Sequence, residues 1–327
     1  MKDFEGLEKR LKKYKCTNPG ISIMVIKDGN LKFKRELGFS NLELKVPISE
    51  KTAYNIASIS KQFTAMGIMI LNEKGLISYD DYITNYLKEL KAFNKVTIEN
   101  LLSHTSGIIN YYEILTKLNK TAFNINNNDV YELLKGENLL FKPGSHFDYS
   151  NSNYVLLAII IEKVIGLSYK KFIEKNIFKE IGMDNSYVFD ETKPVIKNRA
   201  YGYKKANNKY YCDYQEALTV GDGGIFSTLN DLYIWDQILY TDRLVSKETL
   251  DLAFSTKYDL EEDYGFGWSL DESNKKIWHT GLDAGFRSMI TRYLKEKLTV
   301  IILSNSSVCT YKKRQRITDF LFNTYKN

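Results

Sequence analysis

Phe4, Leu7, Leu11 and Tyr14 recur at the three-to-four spacing of an amphipathic helix, and the chain then changes period. Ile21 to Lys27 is a short, nearly continuous apolar run, the pattern of a buried strand. Asp28-Gly29-Asn30 supplies turn residues, and Leu31 to Leu37 reads as the return strand of a hairpin. From Ile59 to Glu73 the period is helical again, with a stop signal at Gly75. Residues 80–245 read mostly as helix and loop. Within them Val155 to Val164 is apolar nearly all round, which predicts a buried helix. Asp231 to Leu239 predicts another, behind a cap region at Ser227-Thr228-Leu229-Asn230. The last third returns to strands: Tyr264 to Leu270, Lys276 to His279, Phe286 to Tyr293 and Leu298 to Leu303. A helix from about Lys312 to Tyr325 closes the chain.

Strand-rich ends therefore flank a helical centre. Neither end has enough strands to be stable alone, so the two are expected to pair in one sheet. No internal repeat, low-complexity segment or linker interrupts the pattern. The expected fold class is α/β (α+β), an antiparallel β-sheet flanked by helices plus an all-helical lobe. The expected organisation is a single domain, 1–327, with an α/β lobe at about 1–57 and 246–327 and a helical lobe at about 58–245.

Composition narrows the class. The 327 residues are 43% hydrophobic and 26% charged, ordinary globular values. The net charge of +6 is spread thinly over many lysines. Its densest cluster, Lys312-Lys313-Arg314-Gln315-Arg316, reads as the solvated face of the last helix, and no aromatic or glycine motif accompanies it, so no nucleic-acid partner is expected. Cys16, Cys212 and Cys309 are odd in number and widely spaced, which disfavours a disulfide framework or a zinc site and suits a reducing compartment. The longest apolar run, Tyr154 to Ile161, is far short of the roughly 20 residues of a membrane span. Met1 to Lys15 is charged and shows no signal-peptide core. A cytoplasmic location is expected, with export the alternative, since a chain whose leader had been removed would look the same.

The chemistry lies in three short motifs that fall in one order: Ser58-Ile59-Ser60-Lys61, Tyr149-Ser150-Asn151 and His279-Thr280-Gly281. Together they spell the S-x-x-K, Y-x-N, [HK]-T-G set of enzymes that acylate a serine without a Ser-His-Asp triad. Singly each is weak. S-x-x-K recurs at Ser168/Lys171 and Ser273/Lys276, and alone it reads as a capping serine followed by a surface lysine. Y-x-N recurs only at Tyr325-Lys326-Asn327, and H-T-G occurs once. A serine hydroxyl is a poor nucleophile until a base takes its proton. Ser58 and Lys61, three apart at a helix start, project from one face, and a lysine desolvated between lobes can be that base. The helix start also offers backbone N–H groups for an oxyanion. Tyr149 follows the turn Lys142-Pro143-Gly144, so a loop tip can deliver its phenol as a second proton carrier. Alone it would read as a helix cap with an aromatic staple. Gly281 can let a substrate lie against the strand edge, and the N–H of Leu282 is a candidate second oxyanion donor.

Other chemistries have less support. There is no G-x-S-x-G elbow, and Gly221-Asp222-Gly223-Gly224 lacks the lysine and spacing of a phosphate loop. His104, His146 and His279 are the only histidines and no H-E-x-x-H occurs, so neither metal nor cofactor is expected. His104 reads as a structural loop histidine.

From about residue 15 to 305 the chain resembles the β-lactamase-like serine hydrolases, which include class C β-lactamases, D-alanyl-D-alanine carboxypeptidases, D-aminopeptidases and esterases of one fold. Tyr54 to Thr64 resembles the nucleophile segment, and Leu101-Leu102-Ser103-His104-Thr105-Ser106-Gly107 the L-L-x-H-T-S-G loop. Pro143-Gly144 through Tyr149-Ser150-Asn151 to Leu157, Gly223 to Thr228 with Asp231, and Tyr264-Gly265-Phe266-Gly267-Trp268 resemble further segments. The resemblance implies a β-lactamase/transpeptidase-like fold with the site in the groove between two lobes. It implies catalysis by Ser58, Lys61 and Tyr149, with Asn151, His279, Thr280, Gly281 and Leu282 binding substrate or oxyanion. Two departures matter. His279 stands where lactam-binding relatives have a lysine that holds the substrate carboxylate. No E-x-x-L-N segment is present, so the class A deacylating glutamate is missing. The expected activity is hydrolysis of esters or D-residue peptides. A β-lactamase, or a penicillin-binding receptor that acylates without turnover, is the alternative. Arg287 could supply the missing charge, but the turn from Gly281 to Gly285 breaks strand parity, so the sequence does not say which way it points.

Overall fold

A computed structural model of the protein describes residues 7, 11, 18–213, 217–258, 260, 262–271, 273 and 275–326. Among them one six-stranded sheet joins the two ends of the chain. Its strands are β1 (Ile21–Lys27), β2 (Asn30–Leu37), β3 (Ser269–Asp271), β4 (Lys276–Asp283), β5 (Phe286–Tyr293) and β6 (Leu298–Ser304). The order is β3-β4-β5-β6-β1-β2, antiparallel throughout. Ile23 of β1 sits opposite Ile302 of β6, the long-range pairing expected of two strand-poor ends.

The apolar runs of β1 and β6 arise because both faces of the sheet are covered. Met24, Ile26, Ile301 and Leu303 pack into the large core under the helices. Ile23, Val25, Leu298, Val300 and Ile302 pack into a second cluster with Leu7, Leu11, Ile317 and Leu321. Leu7 and Leu11 are helical as their spacing predicts; Phe4 and Tyr14 lie outside the described residues.

Four helices lie on the large-core side of the sheet, α1 (Lys61–Glu73), α2 (Ile98–Leu102), α3 (Asn151–Ile165) and α4 (Leu229–Ile238), and α5 (Tyr311–Tyr325) covers the other face. Thr228 caps α4, its side chain accepting from the Asp231 N–H at 3.1 Å. A small sheet pairs Tyr54–Asn55 with Ile225–Ser227, and the latter with Tyr187–Val188. It ties the segment before Ser58 to the run after Gly224. This and the hairpin Tyr203–Ala206/Lys209–Cys212 put strands in a region that reads as helix and loop.

Three local expectations are corrected. Tyr264 to Leu270 is not a strand: only Ser269–Asp271 pairs with β4, because Gly267 turns at φ +80 against the backbone of Gln62. β4 runs four residues beyond His279. In the basic cluster Arg314 is 2% exposed and donates to the Cys309 carbonyl at 2.5 Å, so that part of the helix face is buried.

One ion pair couples the helical region to the sheet. Arg292 of β5 and Asp236 of α4 are 0% and 1% exposed, with Nε to Oδ1 at 2.8 Å. Thr299 Oγ1 donates to the same oxygen at 2.8 Å, and the guanidinium lies 4.4 Å from the Tyr240 ring centre. Asp236→Ala leaves that cation buried without its counter-charge and is expected to cost about 3–5 kcal/mol. Urea unfolding should show the loss as a lower midpoint. A midpoint within error of wild type would show that the pair does not hold the two parts together.

Candidate active site

Ser58 does not lie in α1 itself. It sits in a single 3-10 turn, Ala57–Ser60, that runs directly into Lys61. With three residues per turn, positions i and i+3 eclipse, which brings Ser58 and Lys61 together more directly than an α-turn would. Ala57 holds φ +50, a left-handed backbone that a β-carbon disfavours by about 1–2 kcal/mol. Asn55 fixes it: its Oδ1 accepts the Ala57 N–H at 2.8 Å, and its Nδ2 donates to Asp283 Oδ2 at 2.8 Å.

Lys61 is fully buried. Its Nζ donates to Ser58 Oγ at 3.2 Å, Asn151 Oδ1 at 2.8 Å and the Asp222 carbonyl at 2.8 Å. Three acceptors match the three N–H groups of an ammonium. The amine also lies 4.9 Å from the Tyr149 ring centre and 5.6 Å from that of Tyr154. Asn151 starts α3, so the first turn of that apolar helix carries the amide that meets Lys61.

Tyr149 precedes α3 and is packed by rings. His104 lies 4.3 Å away at 39°, Tyr264 6.1 Å at 79° and His279 6.1 Å at 42°. Among the described residues its hydroxyl has no hydrogen bond to Ser58 or Lys61, so the sequence pairing of Lys61 with Tyr149 is realised as an amine over a ring face. Apo hydrogen bonds of this kind often tighten only with substrate present.

His279 is 4% exposed. Nδ1 lies 2.7 Å from the Thr280 carbonyl, which can only accept, so Nδ1 carries the proton. Nε2 therefore accepts from the Tyr264 hydroxyl at 2.9 Å. Burial, and then the charge of Lys61, push its pKa down to about 3. The ring is neutral and both nitrogens are engaged, so a direct bond to substrate requires one of them to be released.

Gly281 has a role that its motif does not reveal. A β-carbon there would lie 2.1 Å from Ser288 Oγ and 2.2 Å from the Ile56 carbonyl. The missing side chain lets β4 press against the turn that carries Ser58. β3 pairs only with Lys276–Trp278 of β4, so beyond Trp278 the named pairing of β4 is with β5 alone. Thr280 is half-buried and Leu282 is 68% exposed.

A cavity of about 620 Å³ opens at Ser58, lined also by Asn151, Asp222, Leu282, Asp283 and Arg287. This answers the question of Arg287: it borders the same space as Ser58. Burial draws its guanidinium below the ordinary value, against the pull of Asp213 and Asp283. Tyr149, Lys61 and His279 are not part of that lining.

The motifs did not single out Asp222. Its carbonyl receives Lys61, its Oδ2 accepts from the Tyr111 hydroxyl at 3.0 Å, and burial raises its carboxyl above the usual range. The glycine-rich run around it was its only signal in the sequence. Among the described residues no cluster of His, Cys, Asp or Glu could hold a metal ion, and no helix is long and apolar enough to cross a membrane.

A half-buried serine, a buried amine and a partly unpaired strand, on an antiparallel sheet with helices, belong to a β-lactamase/transpeptidase-like fold. The chain belongs to the beta-lactamase family, whose model matches residues 4–320. It is similar to Penicillin-binding protein 4* of Bacillus subtilis (strain 168), 34% identical over 309 residues, covering 87% of this chain and 67% of that protein. It is 29% identical over 299 residues to Protein flp of Staphylococcus aureus (strain NCTC 8325 / PS 47), covering 88% of this chain but only 59% of the relative. The solved penicillin binding protein from Bacillus halodurans superposes with a TM-score of 0.85 at 25% identity, over 98% of this chain and all of that one.

Proposed function

We propose that the protein is a serine hydrolase working through an acyl-enzyme on Ser58, with esters or D-residue peptides as substrates. The observation that carries this is the fully buried Lys61 bridging Ser58 Oγ and Asn151 Oδ1. Ser58 Oγ passes its proton to the Lys61–Tyr149 pair, one of whose two groups is unprotonated at the start of the step, and attacks the carbonyl carbon. The Ser58 and Leu282 N–H groups receive the oxyanion. As the bond to the leaving group breaks, that proton passes from the pair to it through Tyr149, so the pair ends the step as it began it. Water then attacks the acyl-enzyme by the reverse route, because no class A glutamate is present. Asn151 orients Lys61 and the substrate amide, and Thr280 and Gly281 border the strand edge along which substrate lies.

A panel of chromogenic esters, D-amino-acid anilides and nitrocefin, with intact mass followed over time, tests the reading. Turnover with return to the free mass supports it, and no covalent adduct with any of them removes it.

The names of the relatives favour a second reading, a penicillin-binding receptor that acylates and stalls. A mass that stays shifted for hours identifies it.

His279 sets substrate preference through its neutrality. His279→Lys is expected to raise kcat/KM for nitrocefin relative to a neutral p-nitrophenyl ester, because it adds a charge where carboxylate-bearing lactams need one. Arg287→Ala is measured beside it. An unchanged ratio in His279→Lys with a large drop in Arg287→Ala moves the carboxylate anchor to Arg287 and removes the argument from His279.

A further inference from the structure

His104 lies in the loop after α2, remote in sequence from the three motifs, and is 0% exposed. Its backbone is left-handed at φ +56, a conformation His and Asn adopt more readily than most residues. The bonds it makes converge on one target. Its carbonyl accepts the Asp148 N–H at 3.0 Å. Its Nδ1 accepts the Ser150 N–H at 3.2 Å. Asp148 and Ser150 are the two neighbours of Tyr149 in the chain.

Asn153, one residue pair further into α3, closes the grip. Its Oδ1 accepts from Ser106 Oγ at 2.7 Å, which turns its amide nitrogen toward His104 Nδ1 at 3.1 Å. Nδ1 is thus an acceptor whose single lone pair the two donors share, and the ring proton sits on Nε2. Nε2 is buried and has no hydrogen-bond partner among the described residues. The ring packs against Tyr149, Tyr154 and Tyr264, at centroid distances of 4.3, 5.1 and 4.7 Å. Burial, followed by the charge of Lys61, holds the imidazole well below its ordinary pKa, so Nδ1 stays an acceptor at neutral pH.

We propose that His104 is a positioning residue for catalysis: its Nδ1 and carbonyl clamp both sides of Tyr149 and so place the phenol and the Asn151 amide against Lys61. The proposal rests on the Ser58–Lys61–Tyr149 reading above. A structural histidine that merely fills space would need neither the acceptor nor its direction toward this segment.

The acceptor and the ring are separable. His104→Phe keeps an aromatic ring and removes the acceptor, leaving two buried donors unpaired. His104→Asn removes the ring but places an oxygen near the former Nδ1 and tolerates the left-handed backbone. Rates are to be normalised to Ser58 sites titrated with a fluorophosphonate, so that unfolded protein does not count. Misplacement of a reacting group by about 1 Å can cost on the order of 10²-fold. His104→Phe is therefore expected to lower kcat about 10–100-fold with KM nearly unchanged, and to move the limbs of the kcat–pH profile. His104→Asn should recover most of kcat and the wild-type profile. If His104→Phe does not fold, His104→Gln replaces it, since its carbonyl lies one bond too far and the same loss is expected.

Wild-type kcat in His104→Phe overturns the proposal. So does an equal loss in His104→Asn, or a loss confined to KM. Continued labelling of Ser58→Ala by the same probe would instead remove the underlying reading and leave the His104 rates to be explained by another nucleophile.

Discussion

Ser58→Ala is expected to eliminate covalent labelling by a fluorophosphonate or a fluorescent penicillin and to reduce hydrolysis to background. The expectation follows from where the hydroxyl stands. Among the described residues Ser58 Oγ is the hydroxyl that Lys61 Nζ hydrogen-bonds, at 3.2 Å; its other two partners are the Asn151 amide oxygen and the Asp222 carbonyl, and neither attacks a carbonyl carbon. The strained turn at Ala57 presents Ser58 at the mouth of the cavity. Strain stored at one residue beside a nucleophile is common in active sites. Removing one hydroxyl from a half-buried position leaves the fold intact, so an unchanged melting temperature separates a chemical loss from a structural one. Labelling of the alanine variant at the wild-type level assigns the nucleophile elsewhere.

Lys61→Ala and Tyr149→Phe each lower kcat by about 10²–10⁴, the scale of general acid–base catalysis. The double variant loses much less than the product of the two, because residues that act as a unit are not additive. The structure gives the two losses different origins. Lys61→Ala removes a buried amine and strips a donor from Ser58, Asn151 and Asp222 at once. Tyr149→Phe keeps the ring that packs on His104 and under Lys61, and removes only the oxygen. A fall in kcat for Tyr149→Phe therefore reports proton handling and not packing. Multiplicative losses in the double variant would show that the two groups work independently and that the shared proton route is wrong.

The fold was legible wherever the hydrophobic period was strong. The runs at Ile21–Lys27 and Leu298–Leu303 announce strands, and strand-poor ends announce their own pairing. Legibility failed where a backbone turn carries the meaning. Tyr264 to Leu270 has the residues of a strand, yet Gly267 at φ +80 folds it back so that Tyr264 reaches His279. Propensity measures local preference, and a single left-handed glycine packed on α1 overrides it.

The sequence by itself determined the chemistry available and its family. An ordered S-x-x-K, Y-x-N and H-T-G set names the candidate reacting groups, because each motif packs its residues within one turn or one strand. Tertiary structure alone decided how those groups meet. It placed the Asp222 carbonyl on Lys61, turned Arg287 toward the Ser58 cavity, used Gly281 to dock β4 on the turn that carries Ser58, and set His104 on both sides of Tyr149. Each of these joins residues far apart in the chain. Contacts of that range arise from how sheets and helices pack, and a local pattern carries no record of them.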